Sequence, residues 1–344
     1  MEILGLALPL VLLFVSFGFM VGVLFGFFGM GGSFLVTPTL LILGYPASVA
    51  IGSGLAFYFG TSVIAVMKHY DIGQVDYKLG AILFVVLSVG IEIGSILVFG
   101  LEEIGVADLV TGIAYVVLLA GIGVLFLRRA LAGEDEDEDG NVDEDVDDIP
   151  AVGQTIQSYT IPPMISLVSG GRTSLWTVSG AGGVVGMISG LIGVGGGFMR
   201  MPMIYYLIGT PLTVAVGTSL FAGLFSGAYG AFTYGMSGSV DLVVVSLLLV
   251  GSALGARIGS GATTVVEEDD VIVYFGIMML LASAGIGVSE VANWLGFGIL
   301  DVLSVVLLVG SSFAVASIIL YQVFTTVRTN RTDMTPEGVS EQTD

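Results

Sequence analysis

Cysteine is absent from this 344-residue chain, and histidine occurs once, as His69. Without thiols there is no disulfide, no thiolate metal site and no redox relay, and a single imidazole argues against a metal centre. Charge is scarce too: 11% of residues are Asp, Glu, Lys or Arg, and only nine are basic. No nucleic-acid partner is implied. The chain offers no Ser-His pair and no HExxH helix, so it is read as a non-enzyme with no cofactor. Alternating strands, the signature of a β-barrel, are also missing.

What is present is apolar. Hydrophobic residues make up 55% of the chain, glycine occurs 52 times, and the mean hydropathy is +1.01. Several apolar runs exceed the ~18 residues that mark a spanning helix. The composition therefore predicts an all-α polytopic membrane protein of the plasma membrane. Its first apolar run has no basic flank or cleavage site and reads as a retained helix. The net charge of -20 is largely local, because 11 of the 29 acids lie between Glu134 and Asp148. Acidic loops of this kind suggest a high-salt organism, where screening is strong.

Two stretches carry the same unusual pattern. Gly26-Phe27-Phe28-Gly29-Met30-Gly31-Gly32-Ser33-Phe34, closed by Pro38, returns as Gly190-Leu191-Ile192-Gly193-Val194-Gly195-Gly196-Gly197-Phe198, closed by Pro202. The match extends further. Gly44, Pro46, Gly52, Gly73, Asp76, Gly90, Gly94 and Ser95 pair with Gly209, Pro211, Gly217, Gly238, Asp241, Gly255, Gly259 and Ser260. The chain is thus two homologous repeats, each holding a long segment, a glycine-broken half-helix and three more long segments. Counting the half-helix as a crossing gives each repeat an odd number, which predicts inverted repeats. Basic residues agree, since Lys68, Lys78, Arg128, Arg129, Arg172, Arg328 and Arg331 then share the cytoplasmic side.

The expected divisions are residues 1–132 for the first repeat, 133–172 for an acidic flexible linker and 173–290 for the second repeat. An extra helix over 291–327 and a disordered tail over 328–344 complete the chain.

Broken helices survive in a bilayer only where protein lines the gap, and in secondary transporters such breaks mark the substrate site. Opposed half-helix N-termini would offer N–H groups and positive dipole ends to an anion. The expected binding residues are Gly31, Gly32 and Ser33 in the first break and Gly195, Gly196 and Gly197 in the second. Gly52 and Ser53, with Gly217, Thr218 and Ser219, would add hydroxyls from the following helices, unless these bond their own backbone.

Arg200 stands where the first copy has Val36, and would supply one fixed positive charge, or snorkel to the interface. Glu92 and Arg257 occupy equivalent positions and would form an ion pair or gate. His69 would couple protons or sit in a solvated turn. Asp76 and Asp241 read as helix caps. The pairs Gly22/Gly26, Gly90/Gly94, Gly186/Gly190 and Gly255/Gly259 fit close helix packing.

The doubled G-x-G-G-[SG]-F-x-x-x-P motif is followed in each copy by G-x-P and A-[IV]-G-[ST]. The residues are Met30 to Pro38 with Ala50-Ile51-Gly52-Ser53, and Val194 to Pro202 with Ala215-Val216-Gly217-Thr218. This resembles the TauE/SafE sulfite-exporter family. The resemblance implies a permease for sulfite, thiosulfate, sulfonates or other small organic anions, driven by protons in some cases. An anion channel, or a membrane subunit or sensor of a larger complex, are the competing expectations. The acidic linker, the extra C-terminal helix and Arg200 depart from the family pattern.

Overall fold

The structure is a computed structural model, and it describes residues 2–3, 6–28, 33–69, 75–132, 161–168, 171–262, 268–295 and 298–333. A short pair of strands, β1 (Glu2–Ile3) and β2 (Leu6–Ala7), precedes the first repeat. That repeat comprises α1 (Leu8–Phe28), α2 (Ser33–Ile42), α3 (Ala47–His69), α4 (Tyr77–Glu103) and α5 (Ala107–Ala132). Strands β3 (Met164–Ser166) and β4 (Arg172–Ser174) form an antiparallel pair between the repeats.

The second repeat comprises α6 (Leu175–Ile192), α7 (Gly197–Pro202), α8 (Leu212–Met236), α9 (Leu242–Ala262) and α10 (Glu268–Leu295). A π-helical turn over Met203–Ile208 prolongs α7. Helices α11 (Gly298–Val305) and α12 (Ser311–Asp333), joined by a π turn over Val306–Gly310, end the described chain. Among the described residues, eight helical stretches are long and apolar enough to cross a membrane. At 27 residues, α4 extends about 40 Å. The protein is an all-α, multi-pass membrane protein.

Glycine spacing sets how these helices pair. Along α1, a Cβ on Gly18, Gly22 or Gly26 would fall 2.2–2.4 Å from a backbone oxygen of Leu248, Ser252 or Ala256 on α9. From the other side, Gly251, Gly255 and Gly259 of α9 press against the carbonyls of Val15, Phe19 and Val23. The same device joins α6 to α4, with Gly186 and Gly190 against Leu87 and Ile91, and Gly90 and Gly94 against Gly183 and Met187. Lipid tails give no hydrophobic drive for helix pairing, so van der Waals contact between bare backbones supplies it. Each repeat therefore lends its first helix to the other repeat's fourth.

Caps cross between the repeats as well. The Asp76 carboxylate caps α4 through the Leu79 N–H at 2.9 Å, while the Asp76 N–H donates to Thr218 Oγ1 at 3.0 Å. In the equivalent place, the Asp241 carboxylate caps α9 through Val243 and Val244, and its N–H donates to Ser53 Oγ at 2.9 Å.

These bonds fix the sense of each helix. The start of α3 lies with the end of α4 and the starts of α5 and α9, through Ala47 N–H to Asp108 (2.8 Å), Ser48 Oγ to Glu102 (2.9 Å) and Asp241 N–H to Ser53 Oγ. The starts of α4 and α8 meet at the opposite face through Asp76 and Thr218. Thus α3 and α8 run side by side in opposite senses, as do α5 and α10, where Gly112 meets Glu290 and Gly123 meets Gly276.

Two expected boundaries shift. Part of the linker is ordered, because β3 pairs with β4 and is tied to α4 by Val168 N–H to Asp76 Oδ2 (2.8 Å) and Lys78 Nζ to Ser166 Oγ (3.3 Å). Residues 133–160 lie outside the described residues. The last helix runs to Asp333 rather than ending at 327, since neither glycine nor proline follows until Pro336.

Packing predicts opposite signs for one substitution at two glycines. Gly22→Ala meets the Ser252 backbone and costs about 1–3 kcal/mol. Gly121→Ala on α5 enters open space and gains roughly 0.5–1 kcal/mol of helix stability. Thermal melts of the two purified variants in detergent, followed by monodispersity, check the contrast.

Candidate functional site

The second glycine break ends α6 at Ile192 and restarts the chain at Gly197, with Gly193, Gly195 and Gly196 at φ of +73°, +69° and +70°. Only glycine adopts this left-handed backbone without strain. Breaking the helix strips its last carbonyls of their partners, and at this depth no water replaces them. Side chains do so instead. Tyr234 Oη donates to the Gly190 carbonyl at 2.6 Å, Tyr115 Oη to Ile192 at 2.5 Å and Thr37 Oγ1 to Gly193 at 3.3 Å. Ser33 Oγ donates to the Val194 carbonyl, and Arg200 Nη1 to Gly195 at 3.4 Å. Four of these donors come from α2, α5 and α7 close to the break, and three of the five come from the first repeat.

Arg200 is the most consequential of them. It sits in the last turn of α7 and is 1% exposed. Its Nε donates to the carbonyl and hydroxyl oxygens of Ser219 at 3.0 and 3.2 Å, and its Nη2 to Tyr58 Oη at 2.5 Å. Every acceptor is neutral, and among the described residues no carboxylate pairs with the guanidinium. Tyr58 lies halfway along α3 and Gly223 halfway along α8, so the charge sits near the middle of the bundle. Placing an unpaired arginine at bilayer centre costs about 3 kcal/mol even on the mildest scale. Burial at 1% exposure rules out the snorkelling alternative for Arg200.

The structure sorts the other expected residues. Gly195, Arg200 and Ser219 come together, with Gly196 as the N-cap of α7 and Gly197 its first residue. Ser33 is buried nearby, but its hydroxyl serves the Val194 carbonyl. Ser53 and Thr218 are occupied as acceptors for Asp241 and Asp76, and Gly52 faces the Ser239 carbonyl as a packing contact. Gly217 opens the turn that carries Thr218 and Ser219 on α8. Gly31, Gly32 and the side chain of His69 lie outside the described residues.

Glu92 and Arg257 do not pair. Glu92 accepts from Tyr229 Oη at 2.8 Å and Thr233 Oγ1 at 3.4 Å on α8, while Arg257 is exposed on α9. Glu92 on α4 is turned to α8 and Arg257 on α9 is turned outward, so the pair does not form.

Tyr58 and Tyr115 were not legible as site residues. For Tyr58 a signal existed: the repeat offset that pairs Gly52 with Gly217 pairs Tyr58 with Gly223. A bulky phenol opposite a bare backbone breaks the repeat's symmetry, as Arg200 opposite Val36 does.

A helical membrane protein with crossed-over repeats and a charge held at a central helix break is built as a membrane transporter. Comparison with known proteins agrees. The family model for the sulfite exporter TauE/SafE matches residues 14–286. Probable membrane transporter protein YunE of Bacillus subtilis is 24% identical over 275 residues, covering 78% of this chain and 93% of that protein. YjnA of the same organism, also named a probable membrane transporter protein, is 26% identical over 252 residues, 72% of this chain and 87% of its own. Over a shorter stretch of 79 residues, 21% of this chain and 28% of the relative, MJ0441 of Methanocaldococcus jannaschii is 38% identical. No solved structure matches. The chain belongs to the sulfite exporter TauE/SafE family, and it is a multi-pass protein of the plasma membrane.

The carbonyl ladder at the break makes a stability prediction. Tyr115→Phe leaves the fully buried Ile192 carbonyl without its donor and costs about 1–3 kcal/mol. The drop in thermal midpoint relative to wild type, in detergent, measures it.

Proposed function

We propose that this membrane transporter is a secondary carrier for small sulfur-containing or organic anions, such as sulfite, thiosulfate or sulfonates. Arg200 is the observation that carries the reading. A guanidinium buried at mid-depth, surrounded only by neutral acceptors, lowers its free energy by pairing with an anion.

The site lies at the second glycine break, with Ser219 and the Gly195 to Gly197 backbone around the arginine. Gly31 and Gly32 are further binding residues in this proposal. The two repeats are inverted copies, a reading supported by the opposite senses of α3 and α8 and by the reciprocal caps of Asp76 and Asp241. Alternating access then follows from rocking one repeat against the other about the fixed site. The face that carries Lys78, Arg172 and the end of α5 with Arg128 is the cytoplasmic one. Glu92, half-buried between α4 and α8, is a gating contact through Tyr229 rather than through Arg257. Proton coupling through His69 completes the proposal.

Uptake of radiolabelled sulfite and thiosulfate into high-salt proteoliposomes tests it, with and without an imposed pH gradient. A carrier gives saturable uptake that is stimulated by unlabelled anion on the far side, whereas a channel gives no such counterflow. Arg200→Gln removes the charge and lowers uptake by about 30-fold or more, the effect of losing about 2 kcal/mol or more from a buried charge pair. Uptake in Arg200→Gln equal to wild type would remove the arginine from the site.

A further inference from the structure

We propose that Tyr58 is a direct ligand of the transported anion, so that the first repeat supplies a hydrogen-bond donor to a site whose charge comes from the second. This rests on the reading that Arg200 holds the anion.

The argument begins with a count of donors. Arg200 has five N–H groups. Nε spends its one on Ser219, Nη1 spends one on the Gly195 carbonyl, and Nη2 spends one on Tyr58 Oη. One N–H on each terminal nitrogen is left without an acceptor among the described residues. The Tyr58 hydroxyl accepts from Arg200 and so keeps its own hydrogen to donate, and no described residue accepts it. Two of these three donors sit on Arg200 Nη2 and Tyr58 Oη, 2.5 Å apart, and the third is on the other terminal nitrogen of the same guanidinium, in a place 1% and 2% exposed at Arg200 and Tyr58 respectively. Buried donors without acceptors are costly, and one anionic group with several oxygens satisfies all three together.

The ring of Tyr58 is fixed for this task by the second repeat. A Cβ on Gly195 would fall 2.3 Å from the ring, and one on Gly227 2.8 Å from it. Gly223 closes over the polar end, where a Cβ would lie 2.1 Å from Arg200 Nη2 and 2.3 Å from Tyr58 Oη. Three glycines thus bring α8 and the break against one tyrosine. Purely structural space-filling would be served equally by phenylalanine, whose ring fits the same cradle. The hydroxyl is what meets Arg200, and at 5.9 Å from the ring centroid the guanidinium lies beyond the ring's edge, towards the oxygen. The bond also joins the two repeats, so a rocking motion has to exchange it for contacts to the anion. An anion bridging Arg200 and Tyr58 is held by both repeats.

The test uses the full-length protein, purified in detergent at high salt, with sulfite and thiosulfate as probes in an equilibrium binding assay. Wild type, Arg200→Gln, Tyr58→Phe and Tyr58→Leu are compared, with thermal midpoints measured in parallel. The proposal expects binding to wild type, none to Arg200→Gln, and a Kd raised tenfold or more in Tyr58→Phe at an unchanged thermal midpoint. A direct contact is read separately by placing 3-fluorotyrosine at position 58. Its fluorine resonance is expected to shift on adding sulfite, and to stay fixed when Arg200→Gln is added to the same protein.

Binding by Tyr58→Phe within twofold of wild type, or a fluorine signal that ignores the anion in wild type, overturns the role of Tyr58 and leaves that of Arg200 standing. Equal binding by Arg200→Gln, or no binding of either anion to wild type, overturns the anion site itself and the Tyr58 proposal with it. Loss of folding in Tyr58→Leu alone, with tenfold weaker binding in folded Tyr58→Phe, supports a ring that packs and a hydroxyl that binds.

Discussion

A helix that stops inside a bilayer must find partners for its last carbonyls, and nearly everything else in this protein depends on how those partners are supplied. Gly190 and Ile192 to Val194 are served by Tyr234, Tyr115, Thr37 and Ser33, and Gly195 by Arg200. Each such bond is worth only about 1 kcal/mol net, but each carbonyl left bare costs more than that. Tyr115 reaches the break from α5, and Ser33 and Thr37 from α2, so the break in one repeat is finished by the other.

The helix pairing follows the same logic of exchange. The first helix of each repeat lies bare backbone to bare backbone on the fourth helix of the other. The glycines that allow this were visible in the sequence, as were the second break and Asp76 and Asp241 as caps. All of these are local signals: a spacing of four, a Gly-Gly beside a Pro, an acid ahead of an apolar run. A spacing of that kind reports which face of a helix is bare. It does not report which helix covers that face, and the crossed pairing of α1 with α9 and α6 with α4 emerged only in three dimensions.

Side-chain hydroxyls were harder to read for a physical reason. Ser and Thr bond whatever polar group the fold brings within reach, and here those groups are distant in sequence. Ser53 serves Asp241 and Thr218 serves Asp76, while Ser33 serves Val194. Thr61 and Ser226 instead bond carbonyls of their own helices, at Tyr58 and Gly223. A hydroxyl near a glycine motif thus looks the same in sequence whether it caps, packs or binds. The charged residues were read more evenly. Arg200 is buried, and its odd position in the repeat had singled it out, but the matching positions of Glu92 and Arg257 implied a contact that does not form, because Glu92 bonds α8 and Arg257 is exposed.

Symmetry breaking separates scaffold from chemistry in this fold. Positions that match between the repeats, such as Gly22 with Gly186 or Asp76 with Asp241, hold helices together and cap them. A carrier built from two equal halves would place identical groups on both sides of its centre, and two arginines there would repel each other across a medium that screens poorly. The second repeat has Arg200 where the first has Val36, and the first has Tyr58 where the second has Gly223. Charge and hydroxyl therefore meet once, between the repeats, at 2.5 Å. Space for the phenol comes from its own counterpart having no side chain. The centre thus carries one charge and one phenol, each supplied by a different repeat.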